Sequence, residues 1–133
     1  MKIDFDKMQG LVPAIVQDAA NGDILMLGFM NREAWEKTQK IGYVTFYSRT
    51  RNELWTKGET SGNRLKVVSA ATDCDRDSLL IRVEVEGEGV VCHEGTRSCF
   101  TKMISSIEKP HFSKTARSGA PAVSTESAGE ISR

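Results

Sequence analysis

The chain has 133 residues, a formal net charge of +0 at pH 7, 39% hydrophobic residues and 27% charged ones. That length suits one domain, the balance is that of a soluble globular protein, and the lack of a basic excess removes a broad electrostatic footprint for nucleic acid. No apolar run approaches the roughly 20 residues of a membrane span, and "MKIDFDKMQG" carries charges where a signal peptide has its apolar stretch, so the expected location is the cytoplasm.

In chain order, "LVPAIVQDAANGDILMLGFMN" predicts a hairpin, with strands over 14–17 and 24–30. Asn21, Gly22 and Asp23 form its turn, because Asn and Gly tolerate φ > 0. Asn31 is positioned to cap a helix. Ala34, Trp35, Thr38 and Ile41 share one helical face, Glu33/Lys37 and Glu36/Lys40 are i,i+4 pairs on the rest of the surface, and Gly42 is a natural stop. "YVTFYS" (43–48) is β-branched and aromatic, which predicts a strand. "RTRNE" turns the chain, and "LWTKGETSGNR" reads as a loop. Residues 65–71 suggest a further strand. In "LLIRVEVEG", Ile81, Val83 and Val85 alternate with Arg82, Glu84 and Glu86, the pattern of a half-buried strand. Gly87 and Gly89 then turn the chain toward Val90, Val91 and Cys92.

From Pro110 onward Ser, Ala, Gly and Thr dominate. Such a segment buries too little apolar surface to offset its ordering entropy. The expected organisation is a folded domain over 1–109 and a mobile, low-complexity tail over 110–133. The fold class is α+β, β-rich with one clear helix. A core of that size is modest, and dimerisation would help it.

Two short patches concentrate the ligand chemistry. "DCDRD" places Asp73, Asp75 and Asp77 at alternate positions, an oxygen-rich set suited to Mg²⁺ or Ca²⁺. With Glu84 they also fit slots of an EF-hand loop. Ser78 stands where that loop needs Gly, however, and the following segment alternates like a strand, which argues against an EF-hand. A solvated acidic turn and a hard-cation site both remain as readings; like charges this close repel unless a cation sits among them.

The three cysteines cannot all pair within one chain, and in a reducing cytosol they are free, metal-bound or catalytic, or simply small buried hydrophobes. Cys74 lies inside the acidic run. Cys92 and Cys99 bracket "CHEGTRSC". Thiolates favour Zn²⁺, but the spacing fits no common zinc finger. Three thiols plus water is the pattern of an open catalytic site; His93 could instead close the tetrahedron. Beside an open site His93 is the candidate general base, since an imidazole changes protonation near neutral pH. A lone histidine is otherwise a surface group, the reading left for His111.

The blocks "GLVPAIVQD", "LMLGFMN", "FYSRTRNELWTKGETSGN", "DCDRDSLL" and "CHEGTRSCF" occur in order, and with them residues 5–104 resemble the phosphoribosyl-AMP cyclohydrolase family of histidine biosynthesis. The resemblance implies hydrolytic opening of the adenine ring of phosphoribosyl-AMP: water adds at C6, the C6–N1 bond breaks, the amine is retained as a carboxamide, and a formimino ribotide (ProFAR) results. It further implies Zn²⁺ on Cys74, Cys92 and Cys99, one ion per subunit, supplied by both chains of an intertwined homodimer. Mg²⁺ would sit on Asp73, Asp75 and Asp77, with His93 as base or proton shuttle. The loop "SRTRNELWTKGETSG" suits a substrate with two phosphates: Arg49, Arg51 and Lys57 offer charge, and Ser61 and the backbone at Gly58 and Gly62 offer donors. Arg49 and Lys57 are favoured; Arg97 is a further candidate. Any of these basic residues alone could equally be a solvated surface charge. Some relatives carry a C-terminal phosphoribosyl-ATP pyrophosphohydrolase domain; here only the tail follows, so that preceding step is expected of another protein.

Two other functions compete. A zinc nucleobase deaminase would attack similar ring positions and expel ammonia, but its H-x-E and P-C-x-x-C motifs do not occur. A zinc-stabilised interaction module, closed by the three cysteines and His93, would bind zinc without turnover and have no use for the aspartates.

Overall fold

The computed structural model describes residues 1–105. Residues Met1–Lys102 form one compact unit. The expected boundary after residue 109, the tail and His111 lie outside the described residues.

Strand β1 (Val12–Asp18) and β2 (Ile24–Met30) pair antiparallel as a hairpin. Gly22, at φ +83, supplies the left-handed residue the turn requires. Helix α1 (Arg32–Ile41) starts where Asn31 Oδ1 accepts the Ala34 N–H at 2.8 Å and stops at Gly42, φ +79, whose N–H reaches the Thr38 carbonyl. Ala34 and Thr38 are buried and Trp35 is half-buried, but Ile41 is 42% exposed. Neither Glu–Lys pair on the helix closes to an ion-pair contact among the described residues, consistent with the small value of exposed pairs.

β3 (Thr45–Ser48) begins two residues later than its β-branched run suggests; Tyr43 instead bridges to Lys66. The next segment corrects the sequence reading. Glu53–Thr56, read there within a turn and a loop, is strand β4, paired antiparallel with β3 from Thr45–Thr56 to Ser48–Glu53. The period-2 signal is weak over four residues, and the strand is held by tertiary contacts. Trp55 packs on Phe46 with ring centroids 5.2 Å apart, and the hydroxyls of Thr45 and Thr56 meet at 3.0 Å.

β5 (Leu65–Thr72) and β6 (Leu79–Val85) form a third hairpin. The main sheet runs β2-β1-β6-β5, with β1 and β6 parallel and the other neighbours antiparallel. Val12, Ala14 and Val16 of β1 and Ile81 and Val83 of β6 bury alternate side chains against Leu25, Met30, Ala34, Phe46 and Leu65. Arg82 and Glu84 face outward, as the alternation predicts. This architecture is α+β and β-rich with one helix among the described residues.

The register fixes where the two ligand patches stand. Ala14 pairs with Leu79 and Asp18 with Val83. Residues 73–78, which precede Leu79, therefore lie at the end of the sheet where β1 begins. The end where β1 finishes is occupied by "CHEGTRSC": Cys99 N–H donates to the Leu25 carbonyl at 2.8 Å, Ser98 Oγ donates to the Ile24 carbonyl at 2.8 Å, and Arg97 pairs with Asp18. The Leu79–Val83 stretch alone separates the two ends by about 13 Å at ~3.3 Å per residue.

Candidate active site

The acidic patch is the connection of the β5–β6 hairpin. Asp73 Oδ1 accepts N–H groups from Asp77 at 3.0 Å and Ser78 at 3.3 Å, while its carbonyl accepts the Arg76 N–H at 3.1 Å. Arg76, at φ +62, takes the left-handed step that closes the turn. The result gathers one carboxylate oxygen each from Asp73, Asp75 and Asp77 within 4.8 Å of one another. Hydrogen bonds, first that of Ser78, hold the Asp73 carboxyl down at about 2. Desolvation pushes the Asp77 carboxyl up, and the closeness of Asp75 and Asp73 adds to it. Three converging oxygens, two of the residues exposed, fit a hard cation that keeps part of its water shell, as Mg²⁺ does.

The thiol patch has no regular structure and is held by its own backbone. The N–H groups of Val91 and Cys92 both donate to the Thr96 carbonyl, and Gly95 N–H donates back to the Cys92 carbonyl. Cys92 is buried and Cys99 exposed, and the two thiols are near enough to shift each other's protonation in opposite directions. The Glu94 backbone N–H lowers the Cys92 thiol, with Thr96 and Cys99 assisting. Although the residue as a whole is exposed, partial desolvation of its thiol raises Cys99, and Cys92 adds to this, while the positive charge of Lys57 opposes it. A facing pair with one member tipped toward thiolate has the donor chemistry of a soft divalent cation such as Zn²⁺. Cys74 is exposed on the acidic turn at the other end of the sheet. Among the described residues the aspartates are the group of three that converges; the thiols of Cys74, Cys92 and Cys99 do not.

The other candidates are dispersed. His93 is exposed on the turn directly after Cys92. Lys57 stands close enough to Cys99 to act on its thiol, and its ammonium lies 5.8 Å from the Trp55 ring centroid. The Arg49 guanidinium covers Phe29, near the opposite end of β2, at 4.8 Å. Ser61 is exposed and its Oγ accepts the Asn63 N–H at 3.2 Å. Arg97 is committed within the chain, paired with Asp18 and 3.8 Å from Asp23. Three participants escaped the sequence reading: Thr96, whose carbonyl closes the thiol loop, Asp18, which anchors Arg97, and Lys7, whose ammonium lies 3.3 Å from Asp75 Oδ2. Lys7 and Asp75 are 68 residues apart, and no local pattern links them.

A family model described as phosphoribosyl-AMP cyclohydrolase matches residues 26–101, a span that holds every candidate site residue above except Lys7 and Asp18. The chain belongs to that family. It is 55% identical over 104 residues to the phosphoribosyl-AMP cyclohydrolase of Desulfatibacillum aliphaticivorans, covering 78% of this chain and 82% of the relative. It is likewise 55% identical over 102 residues to that of Listeria innocua, covering 77% and 93%. To the histidine biosynthesis bifunctional protein HisIE of Bacteroides thetaiotaomicron it is 60% identical over 100 residues, 75% of this chain. It spans 48% of that protein, about half of its length. Among the described residues no helix is long and apolar enough to cross a membrane.

Proposed function

We propose that the chain opens the adenine ring of phosphoribosyl-AMP by hydrolysis, in the cytoplasm, as a step of L-histidine biosynthesis. The family match carries the reaction. The placement of the thiols supports its metal and assembly: Cys92 and Cys99 face each other at one end of the sheet and Cys74 stands at the other. A three-thiolate site therefore needs two copies of the chain. Cys74 from one copy and the Cys92–Cys99 pair from the second would hold Zn²⁺ in a homodimer, whose symmetry builds the site twice.

When bound, Zn²⁺ supplies a water acidified for attack at carbon. The chain's own residues bind, orient and move the proton. His93, exposed beside Cys92, accepts a proton from the attacking water. As the oxygen bonds to C6 and the C6–N1 bond breaks, His93 returns that proton to N1, and the second proton of the water leaves the oxygen for solvent as the carbonyl forms. The exocyclic amine stays on C6 as a carboxamide, so no ammonia leaves. Asp73, Asp75 and Asp77 would hold Mg²⁺ and balance the phosphate charge. Arg49, Lys57 and Ser61 bind the two phosphate groups. Arg97 is the least available, because Asp18 and Asp23 already hold its guanidinium.

The test is turnover of phosphoribosyl-AMP, followed by the ultraviolet change of ring opening. It compares zinc-loaded with chelator-stripped protein, both with Mg²⁺. Zinc-dependent turnover without ammonia is expected. Ammonia release would indicate a deaminase, and a folded zinc-loaded protein without turnover would indicate a zinc-stabilised interaction module.

A further inference from the structure

The N-terminal segment is docked onto the acidic turn. Phe5 is buried, with the Arg32 guanidinium over its ring at 4.9 Å. One residue earlier, Asp4 N–H donates to the Arg76 carbonyl at 2.7 Å. One residue after Asp6, the segment turns back, and Gly10 N–H closes onto the Phe5 carbonyl at 2.7 Å. This turn carries Lys7 to the carboxylates. Its ammonium lies 3.3 Å from Asp75 Oδ2, 3.7 Å from Asp77 Oδ2 and 3.4 Å from the Asp75 carbonyl. Among the described residues Lys7 is the cation within 4.0 Å of either carboxylate.

An ammonium in that position meets the oxygens a divalent cation needs. It donates hydrogen bonds to them but cannot share a lone pair already given to a metal. It also relieves the mutual repulsion of the carboxylates when no metal is present. We propose that Lys7 is a built-in counter-cation of the aspartate turn: it occupies the turn in the metal-free protein, is displaced by Mg²⁺, and so sets the affinity of the site. The inference rests on the aspartates being a divalent-cation site.

Both parts of that effect have the same sign. Removing the charge destabilises the metal-free turn, and it removes repulsion from the metal-bound one. Lys7→Met should therefore bind the cation more tightly. A lysine that merely holds the turn in shape would give the reverse, since its loss would loosen the ligands.

The experiment titrates Mn²⁺ into the full-length, zinc-saturated chain and reads free Mn²⁺ by electron paramagnetic resonance. Controls are Asp75→Asn, expected to weaken binding, and Lys7→Arg, which keeps the charge. Lys7→Met is expected to bind about 2- to 5-fold more tightly, the range an exposed ion pair allows, with Lys7→Arg at the wild-type affinity. In the zinc-saturated protein without Mn²⁺, Lys7→Met should melt below wild type, and saturating Mn²⁺ should close that gap. Wild-type binding that Lys7→Met leaves unchanged or weakens would overturn the role of Lys7 alone. Equal tightening by Lys7→Arg would do the same, because charge would not be the cause. Failure of the wild type to bind Mn²⁺, or binding indifferent to Asp75→Asn, would overturn the cation site and the role of Lys7 with it.

Discussion

Gly28 of β2 lies directly beneath the ring of Phe46 of β3: a Cβ built on Gly28 would stand 2.5 Å from Phe46 Cε1. The contact locks the β3–β4 hairpin, with Lys57 just beyond it, onto the sheet that carries the thiol loop at Leu25. Because Phe46 is fully buried, the ring has little room to retreat. Gly28→Ala is expected to destabilise the fold by about 1–3 kcal/mol through overpacking, measured by urea denaturation. Phe46→Leu in the same chain should recover part of that loss.

The acidic turn should leave a signature in acid. The Asp73 carboxyl is held at about 2, below its ordinary 3.8. A carboxyl depressed by folding contributes stability that is present above its unfolded value and is lost as pH falls through the folded one. Metal-free wild type should therefore lose melting temperature as pH drops from about 4 toward 2. Asp73→Asn, which keeps a carbonyl oxygen for the Asp77 and Ser78 N–H groups, should show a shallower fall. Asp77 is shifted the opposite way, in part by Asp73 itself, so the same comparison is made in an Asp77→Asn background. Equal slopes would remove Asp73 as the source.

Substrate binding and chemistry should separate in the kinetics. Lys57→Ala and Arg49→Ala are expected to raise KM about 10-fold with little change in kcat, since each removes a charge from phosphate binding and none from the ring. His93→Ala should keep its zinc and lower kcat by about 10²-fold or more. If His93→Ala retained full kcat, the proton would travel by another group. An unchanged KM in Arg49→Ala would remove Arg49 from the substrate site.

Lys57 also offers a check that needs no substrate. Its positive charge opposes the partial desolvation that raises the Cys99 thiol. In metal-free protein Lys57→Met should raise that thiol further and slow its alkylation at a fixed pH. An unchanged rate would mean that the ammonium does not reach the thiol pair.

What was legible in the sequence follows the range of the forces involved. The β1–β2 hairpin and α1 are marked locally, by Gly22 in its turn, Asn31 at the cap and Gly42 at the stop. Strand β6 is marked by strict alternation. β4 was missed because four residues, Glu53–Thr56, carry too short a period, and Trp55 becomes a strand residue only through Phe46. The parallel pairing of β1 with β6 joins segments more than sixty residues apart, and it is this pairing that sends the two ligand patches to opposite ends of the sheet. Residue type alone pointed to Asp73, Asp75, Asp77, Cys74, Cys92 and Cys99. It could not show that the aspartates converge within one chain while the thiols do not, nor that Arg97 would turn back onto Asp18.

The most direct measurement is complementation between two cysteine variants, read as zinc-dependent opening of phosphoribosyl-AMP. Cys74→Ser and Cys92→Ser should each be inactive alone. Unfolded and refolded together in equal amounts, they should form mixed dimers in which one site has lost both cysteines and the other has lost neither. Random pairing then restores about one quarter of wild-type sites, with zinc bound in the same proportion. If the mixture stays as inactive as its components while mixed dimers are present, zinc does not join Cys74 of one copy to Cys92 of another, and the shared site is wrong.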